Sequence, residues 1–460
     1  MRCIPPSLPL TLLALSSTAD AQFDRPAPPP SPAGQGPIHM VFDYHADPWD
    51  NDLPLATKWA TYQAWIDNTV WVLDLTEPYG VPLGFNASGP FVEMVTADPA
   101  GRAGAGAALL RRIYQGGHQL ASHSHTERKE GPFDWPAYGF GADLGQSRRT
   151  WQDAVDALHE AILTAFSGAP PEPLTLIADL KEFHVPTDDF QAHKLFREFD
   201  MRIRGGKGQG EFLGWYGHHV WWPHRPTPGN ALVGDPSAFA TAIGGGRVIG
   251  LAPDENMGQD MTVPNAKRFF LQLYVTWRWF DRTGRPEKVW NWGFACKPNH
   301  ADPGDASRPA LEDFIAWLDL HFAHAVEPTG SQVMQWSTHR DVTDAFEAWE
   351  LRHPGDPAFS HSSPGVDWSQ YPYLRPVAEE LMGFAWAADL DLGAGVSAFH
   401  MTRAGTDAVL CWRAEGTSTV DVSALLGSSI RAVDLESGSE SDPDPSSVPL
   451  ATAALLLLED

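Results

Sequence analysis

Cysteine is scarce in this chain, with three in 460 residues. Cys3 lies in a segment that reads as a removable leader, which leaves Cys296 and Cys411. Two thiols cannot build a disulfide scaffold. They allow one bridge between the main body and the tail, or two independent buried thiols. Positive charge is also in short supply: 32 Lys and Arg stand against 58 Asp and Glu, for a formal net charge of −26. Such a surface repels phosphate backbones and anionic lipid, which argues against nucleic acid and acidic membrane surfaces as partners. No apolar run is long enough to span a bilayer. Gly244-Gly245-Gly246 precedes a predicted strand instead of following one, so it is not a phosphate cradle.

The first residues carry export signals. Arg2 supplies a basic start, Leu8 to Ser16 a short apolar stretch, and Ala19-Asp20-Ala21 a small-residue cleavage site. Residues 1–21 are therefore expected to be a signal peptide, giving a secreted or periplasmic protein. Cys3 stands too early to be a lipidated cysteine after the apolar stretch, so no membrane anchor is expected. Residues 22–36, with their Pro-Ala-Pro-Pro-Pro-Ser-Pro core, read as an extended linker.

From residue 37 onward, short apolar runs alternate with amphipathic segments. Strands are predicted at Ile38–Asp43, Val70–Leu75, His118–His123, Leu174–Ala178, Met201–Arg204, Arg247–Ala252, Val289–Phe294 and Gln332–Trp336. Helices are predicted at Leu55–Asp67, Gly104–Gln115, Thr150–Phe166, Asp188–Phe199, Asn265–Phe280, Arg308–Ala323 and Thr338–Trp349. This alternation implies parallel strands in βαβ units. The fold class is accordingly α/β: a (β/α)-barrel of about seven strands over residues 37–353, with its chemistry at the carboxyl ends of the strands. An open doubly wound sheet is the alternative. Residues 354–373, rich in Pro, Ser, His and Asp, read as a linker. Residues 374–460 read as a small all-β sandwich after one helix, near the size at which a domain folds alone.

Two polar clusters sit at predicted strand ends. In Phe42-Asp43-Tyr44-His45-Ala46-Asp47, side chains alternate, so Asp43, His45 and Asp47 share one face of an extended chain. In Ser122-His123-Ser124-His125-Thr126-Glu127, His123 and Glu127 share a face whether the segment is extended or helical, and His125 joins them if it is extended. Two imidazoles and a carboxylate meeting an Asp/His cluster from a neighbouring strand suit a zinc-like site with an open water position. The bland alternative is a set of loop histidines and acids in ordinary hydrogen bonds.

These residues carry a family resemblance. Val41-Phe42-Asp43 resembles the start of the Thr-Phe-Asp-Asp-Gly motif of the NodB-homology polysaccharide deacetylases, the family 4 carbohydrate esterases. Gly117-His118 and His123-Ser124 resemble the approach to, and start of, the family's His-Ser/Thr-x-x-His motif. Phe183-His184-Val185-Pro186, Lys297-Pro298-Asn299-His300 and Gln335-Trp336-Ser337-Thr338 resemble later landmarks. The resemblance implies metal-assisted deacetylation of an N- or O-acetylated polysaccharide, with a divalent metal such as zinc as cofactor. Asp43 would be the base, His300 the acid and His123 a metal ligand. The sequence departs at Tyr44, where the family has its metal-binding Asp, and at Glu127, where it has the second His. His45, Asp47 or the Glu127 carboxylate are candidates to make good the loss. The family's third-motif Arg has no clean match, with Lys181 and Arg204 weak substitutes.

A rival constellation is Asp254-Glu255 after a predicted strand, where Glu255 with Asp43 or Asp179 would serve a metal-free glycoside hydrolase; a solvated turn is the plain alternative. Among 19 Trp residues, Trp215, Trp221 and Trp222 fall in an aromatic, His-rich stretch suited to stacking on sugar rings or to packing over a barrel mouth. A non-catalytic carbohydrate-binding barrel is the third reading.

Overall fold

The structure, a computed structural model, describes residues 34–124, 127–138, 144–166, 203–205, 222–223, 226–227, 230–234, 249–251, 254–259, 261–353, 377, 380–381 and 383–459. The main body is built on a six-stranded parallel sheet. At its centre lies β1 (Ile38–Ala46), buried at all nine positions. One edge of β1 pairs with Trp290–Cys296. The other edge is shared: Ile38–Val41 pair with Met334–Ser337, and Phe42–Ala46 pair with β2 (Leu83–Ser88). β3 (Gln119–His123) adds to the outside of β2, and Asp254–Asn256 to the outside of Trp290–Cys296. Ile203–Gly205 and Ile249–Leu251 form a separate parallel pair. Parallel strands and intervening helices match the α/β reading, but the pairings among the described residues do not close a ring.

The helices explain one misread segment. α1 runs from Leu55 to Thr76, so the strand expected at Val70–Leu75 is its last two turns. Tyr62, Trp65, Ile66, Thr69, Val72, Leu73 and Thr76 are buried, and their three-to-four-residue spacing continues one helical face through the β-branched run. Pro78 and Gly80, at φ 66°, then end it. β2 and α2 (Gly89–Ala97) have no counterpart in the sequence reading. α2 starts on Gly89-Pro90, where a missing N–H costs nothing. α3 (Ala105–Gln115) and α4 (Leu144–Phe166) pack beside it, and the helices Val263–Arg282, Ser307–Leu318 and His339–Arg352 flank the later strands. The predicted strand Leu174–Ala178 and helix Asp188–Phe199 lie outside the described residues.

The tail forms a six-stranded antiparallel sheet in the order Ala385–Asp389, Val396–Arg403, Thr406–Arg413, Leu455–Glu459, Ile430–Asp434, Glu440–Ser441. Its tightest hairpin turns at Ala404-Gly405, both with positive φ (49° and 88°), the backbone twist a two-residue hairpin needs. One sheet face, with Val409, Cys411 and Leu457, packs toward Val420, Val448 and Leu450 of a second, two-stranded sheet. The opposite face, with Phe399, Leu410, Trp412 and Leu456, joins the core of the main body. Cys296 and Cys411 are free and belong to different cores, so the two-thiol alternative applies and the bridge does not form. Burial pushes both thiols up to about 12.

The tail is fastened to the Val263–Arg282 helix by buried polar contacts. Arg278 donates to the carbonyls of Thr452 (2.5 Å) and Arg413 (2.7 Å), and its Nε faces Glu327 at 3.2 Å. Glu327 also takes the Tyr274 hydroxyl, and Arg282 contacts Glu436 and Thr452. Replacing Arg278 leaves two carbonyls without their donor and the buried Glu327 carboxylate without its counter-charge. Arg278→Ala is therefore expected to lower unfolding free energy by about 3–5 kcal/mol in urea titration. The Arg278→Ala/Glu327→Gln double variant should lose less than the two single losses added together.

β1 also carries a histidine away from the site. His39 Nδ1 lies 2.9 Å from Ser337 Oγ and 3.0 Å from Gln335 Nε2. Burial lowers its pKa from 6.5 to about 4, with Asp341 opposing part of the shift. Between these values the unfolded chain binds the proton and the folded chain does not, so stability falls as pH drops from 6.5 toward 4. The loss from this group should reach about 3 kcal/mol. Urea midpoints across this range measure it, and the His39 ring resonances should stay those of neutral imidazole until near pH 4.

Candidate metal centre

Parallel register decides which side chains meet. Asp43 lies beside Gly84, His45 beside Asn86, and Ser88 beside His123, so these positions share one sheet face near the carboxyl ends of β1, β2 and β3. Tyr44, between Asp43 and His45, takes the opposite face. It stacks on Phe85 with ring centroids 6.0 Å apart, and its hydroxyl lies 3.4 Å from Thr69 Oγ1. The tyrosine that interrupts the family motif is thus a core residue, and its burial raises its pKa well above the usual value.

One nitrogen and one oxygen organise the cluster. His123 Nε2 is 3.0 Å from Asp47 Oδ1, and His45 Nδ1 is 3.9 Å from the same oxygen. The ligand atoms of His45, Asp47 and His123 all lie within 4.8 Å of one another, with both histidines buried and Asp47 partly so. Four-coordinate zinc with bonds of about 2.0–2.1 Å sets its donors roughly 3.3 Å apart. The distances above bracket that value, so two imidazoles and one carboxylate fit a divalent ion with a further position open. Asp47 Oδ2 is also paired with Lys297 Nζ at 2.5 Å.

Behind the donors is a second layer. His45 Nε2 is in contact with Asp43 Oδ2, and Asn86 Nδ2 donates to Asp43 Oδ1 at 2.5 Å. His339 Nδ1 stands 4.0 Å from Asp43 Oδ1. Asp43 has no exposed surface. Gly84 makes room for it: a Cβ there would come to 3.3 Å of Asp43 Oδ1 and 3.4 Å of His339 Nδ1. His339 is placed by a capping box, in which Thr338 and Asp341 exchange hydrogen bonds at the start of its helix.

The remaining candidates fall in different places. Glu127 is buried and bridges Ala137 at the base of the loop after β3; among the described residues the carboxylate that joins the two histidines is Asp47, not Glu127. His300 ends a single turn after Trp290–Cys296, adjacent to β1 and mostly buried. That turn is held to α1 by Asn68, which donates to Pro298 O (2.7 Å) and Asp302 (2.6 Å). Trp222 does not offer its ring to a ligand. It is 1% exposed and packs edge-on against Phe280 and Trp290, so burial corrects the sugar-stacking expectation. Asp254 and Glu255 form part of a strand, paired with Gly293 and Phe294, and not a turn after one; their side chains lie outside the described residues. His125, Lys181, Trp215 and Trp221 also lie outside them.

Asn86 and His339 are absent from the sequence-based candidates. The signal for Asn86 is the alternation of Leu83, Phe85 and Ala87 with Gly84, Asn86 and Ser88, a period of two. For His339 it is Thr338-x-x-Asp341, which announces a helix start.

No protein-family model and no curated protein matches the chain. Among solved structures it is similar to a Mycobacterium smegmatis chain bearing the name of a polysaccharide deacetylase. That match has TM-score 0.41 and 14% identity over 74% of this chain and 98% of the other. It is also similar to a 4-alpha-glucanotransferase from Thermococcus litoralis, at TM-score 0.35 and 12% identity over 67% of this chain and 40% of that one. A third is a GH30 endoxylanase from Clostridium papyrosolvens, at TM-score 0.27 and 8% identity over 93% and 98%.

Proposed function

We propose that this chain is an exported, metal-dependent hydrolase that removes acyl groups from a polysaccharide. The observation that carries the reading is the convergence of His45, Asp47 and His123 from two parallel strand ends onto one small volume. The carbohydrate class rests on the residues that resemble the deacetylase motifs, Val41-Phe42-Asp43 and His123-Ser124. Export rests on the leader-like start of the sequence. Among the described residues no helix is long and apolar enough to cross a membrane.

His45, Asp47 and His123 would hold the divalent ion, which supplies polarisation of the acyl oxygen and a lowered pKa for a bound water. Lys297, on the outer oxygen of Asp47, leaves the inner oxygen for the ion and fixes the carboxylate's rotation. His300, on the turn beside β1, is the group assigned to protonate the departing alkoxide or amine. The buried second layer of Asp43, Asn86 and His339 keeps the donors in place while substrate enters from the strand ends.

Glycan binding without turnover is a second reading. It is favoured by Lys297, whose ammonium already balances Asp47 without any added ion. Metal analysis separates the two. Wild-type protein purified without chelators should carry about one equivalent of zinc or a similar ion, and His123→Ala should carry far less. Acetate release from acetylated glycans should then be lost in the variant and on chelation. A wild type that stays metal-free after zinc is added back sinks the hydrolase reading and leaves binding.

A further inference from the structure

The resemblance to deacetylases makes Asp43 the base that takes a proton from water. We propose instead, resting on the metal reading, that Asp43 is a positioning residue that orients His45 as a ligand. The two ring nitrogens of an imidazole point away from each other. In His45, Nε2 is against Asp43 Oδ2, while Nδ1 faces Asp47 Oδ1 at 3.9 Å. Asp43 therefore lies at the opposite ring nitrogen of His45 from the one that faces Asp47.

Both oxygens of Asp43 are already engaged in that direction. Oδ2 lies against His45 Nε2, and Oδ1 accepts from Asn86, itself 3% exposed and the register neighbour of His45 on β2. A relay results, Asn86 to Asp43 to His45. It fixes the rotation of the imidazole and puts the ring proton on Nε2, so that Nδ1 presents its lone pair. Carboxylates behind ligand histidines do this elsewhere, and removing one typically weakens metal binding 10–100-fold. Gly84 belongs to the same device, since a Cβ would approach Asp43 Oδ1 to 3.3 Å.

The test measures zinc affinity of the mature chain by competition with a chromophoric chelator at neutral pH, with thermal melting to confirm folding. Asp43→Ala should bind zinc about 10–100-fold more weakly than wild type. Asp43→Asn, whose amide oxygen can still accept from His45, should fall between them. An Asp43→Ala protein that binds zinc as wild type does, yet has lost turnover, overturns the proposal and restores the base assignment. Nitrogen-15 NMR of zinc-free wild type gives a check that needs no variant: His45 should show the Nε2–H tautomer, and the Nδ1–H tautomer would overturn the proposal. If wild type binds no zinc while the Nε2–H tautomer is present, the metal reading fails and the proposed ligand role falls with it. If wild type binds zinc and Asp43→Ala binds it equally, only the positioning role fails.

Discussion

β1 has no free edge and no free face, and the site is built on that enclosure. Central strands of parallel sheets are covered on both sides and usually read as continuous apolar runs. Here only one face obeys. Met40, Phe42 and Tyr44 enter the core, with Phe42 stacked on Phe294 at 4.7 Å. The other face carries His39, Asp43 and His45, all buried. A buried carboxylate costs several kcal/mol unless hydrogen bonds and partners compensate it. Every neighbour of that face is arranged to do so. Asn86 comes from β2, Gly84 makes space, Ser337 and Gln335 serve His39, and a capped helix delivers His339. The splitting of one β1 edge between β2 and Met334–Ser337 makes this possible, because it lets two different segments supply polar groups to the two halves of one strand.

How far the sequence revealed this depends on what each segment encodes locally. β1 and β3 are bounded by clear polarity changes, and both were legible within a residue or a few. Val70–Leu75 was not, because β-branched residues favour strand locally while the spacing of buried positions from Tyr62 onward favours helix. β2 was missed because it is short and half polar, and its polar half is the half that serves the site. Motif position also misleads. Aligned by order, Tyr44 falls on a metal ligand and the site looks broken. Counted by twos, Tyr44 faces the core, and His45 with Asp47 takes the face that meets His123. The convergence of Asp47 with His123 is a tertiary fact that no local pattern states.

The tail's attachment follows from its size. A sheet of this length has little interior of its own, so it buries one face on a two-stranded cover and the other on the main body. Apolar contact alone leaves strand-end carbonyls at the seam in need of donors. Arg278 answers two of these, Arg282 donates to the Thr452 hydroxyl, and Glu327 and Glu436 hold the two guanidinium groups. A guanidinium suits such a seam, because its planar five-donor group satisfies several acceptors at once.

The balance of charge also bears on the chemistry. With the imidazoles in the neutral form that metal binding would need, the carboxylates of Asp43 and Asp47 would outweigh the single ammonium of Lys297. A site of that sign opposes the negative charge that builds on an acyl oxygen during hydrolysis, since preorganised positive charge or donors are what lower such a barrier. The residues around Asp43 are spent on holding it, and Lys297 is spent on Asp47. A divalent cation among His45, Asp47 and His123 would reverse the local sign without moving any of them. On the hydrolase reading a bound ion would supply that positive charge, whereas recognition of a neutral glycan does not need it. Metal occupancy is thus the property in which the two readings differ.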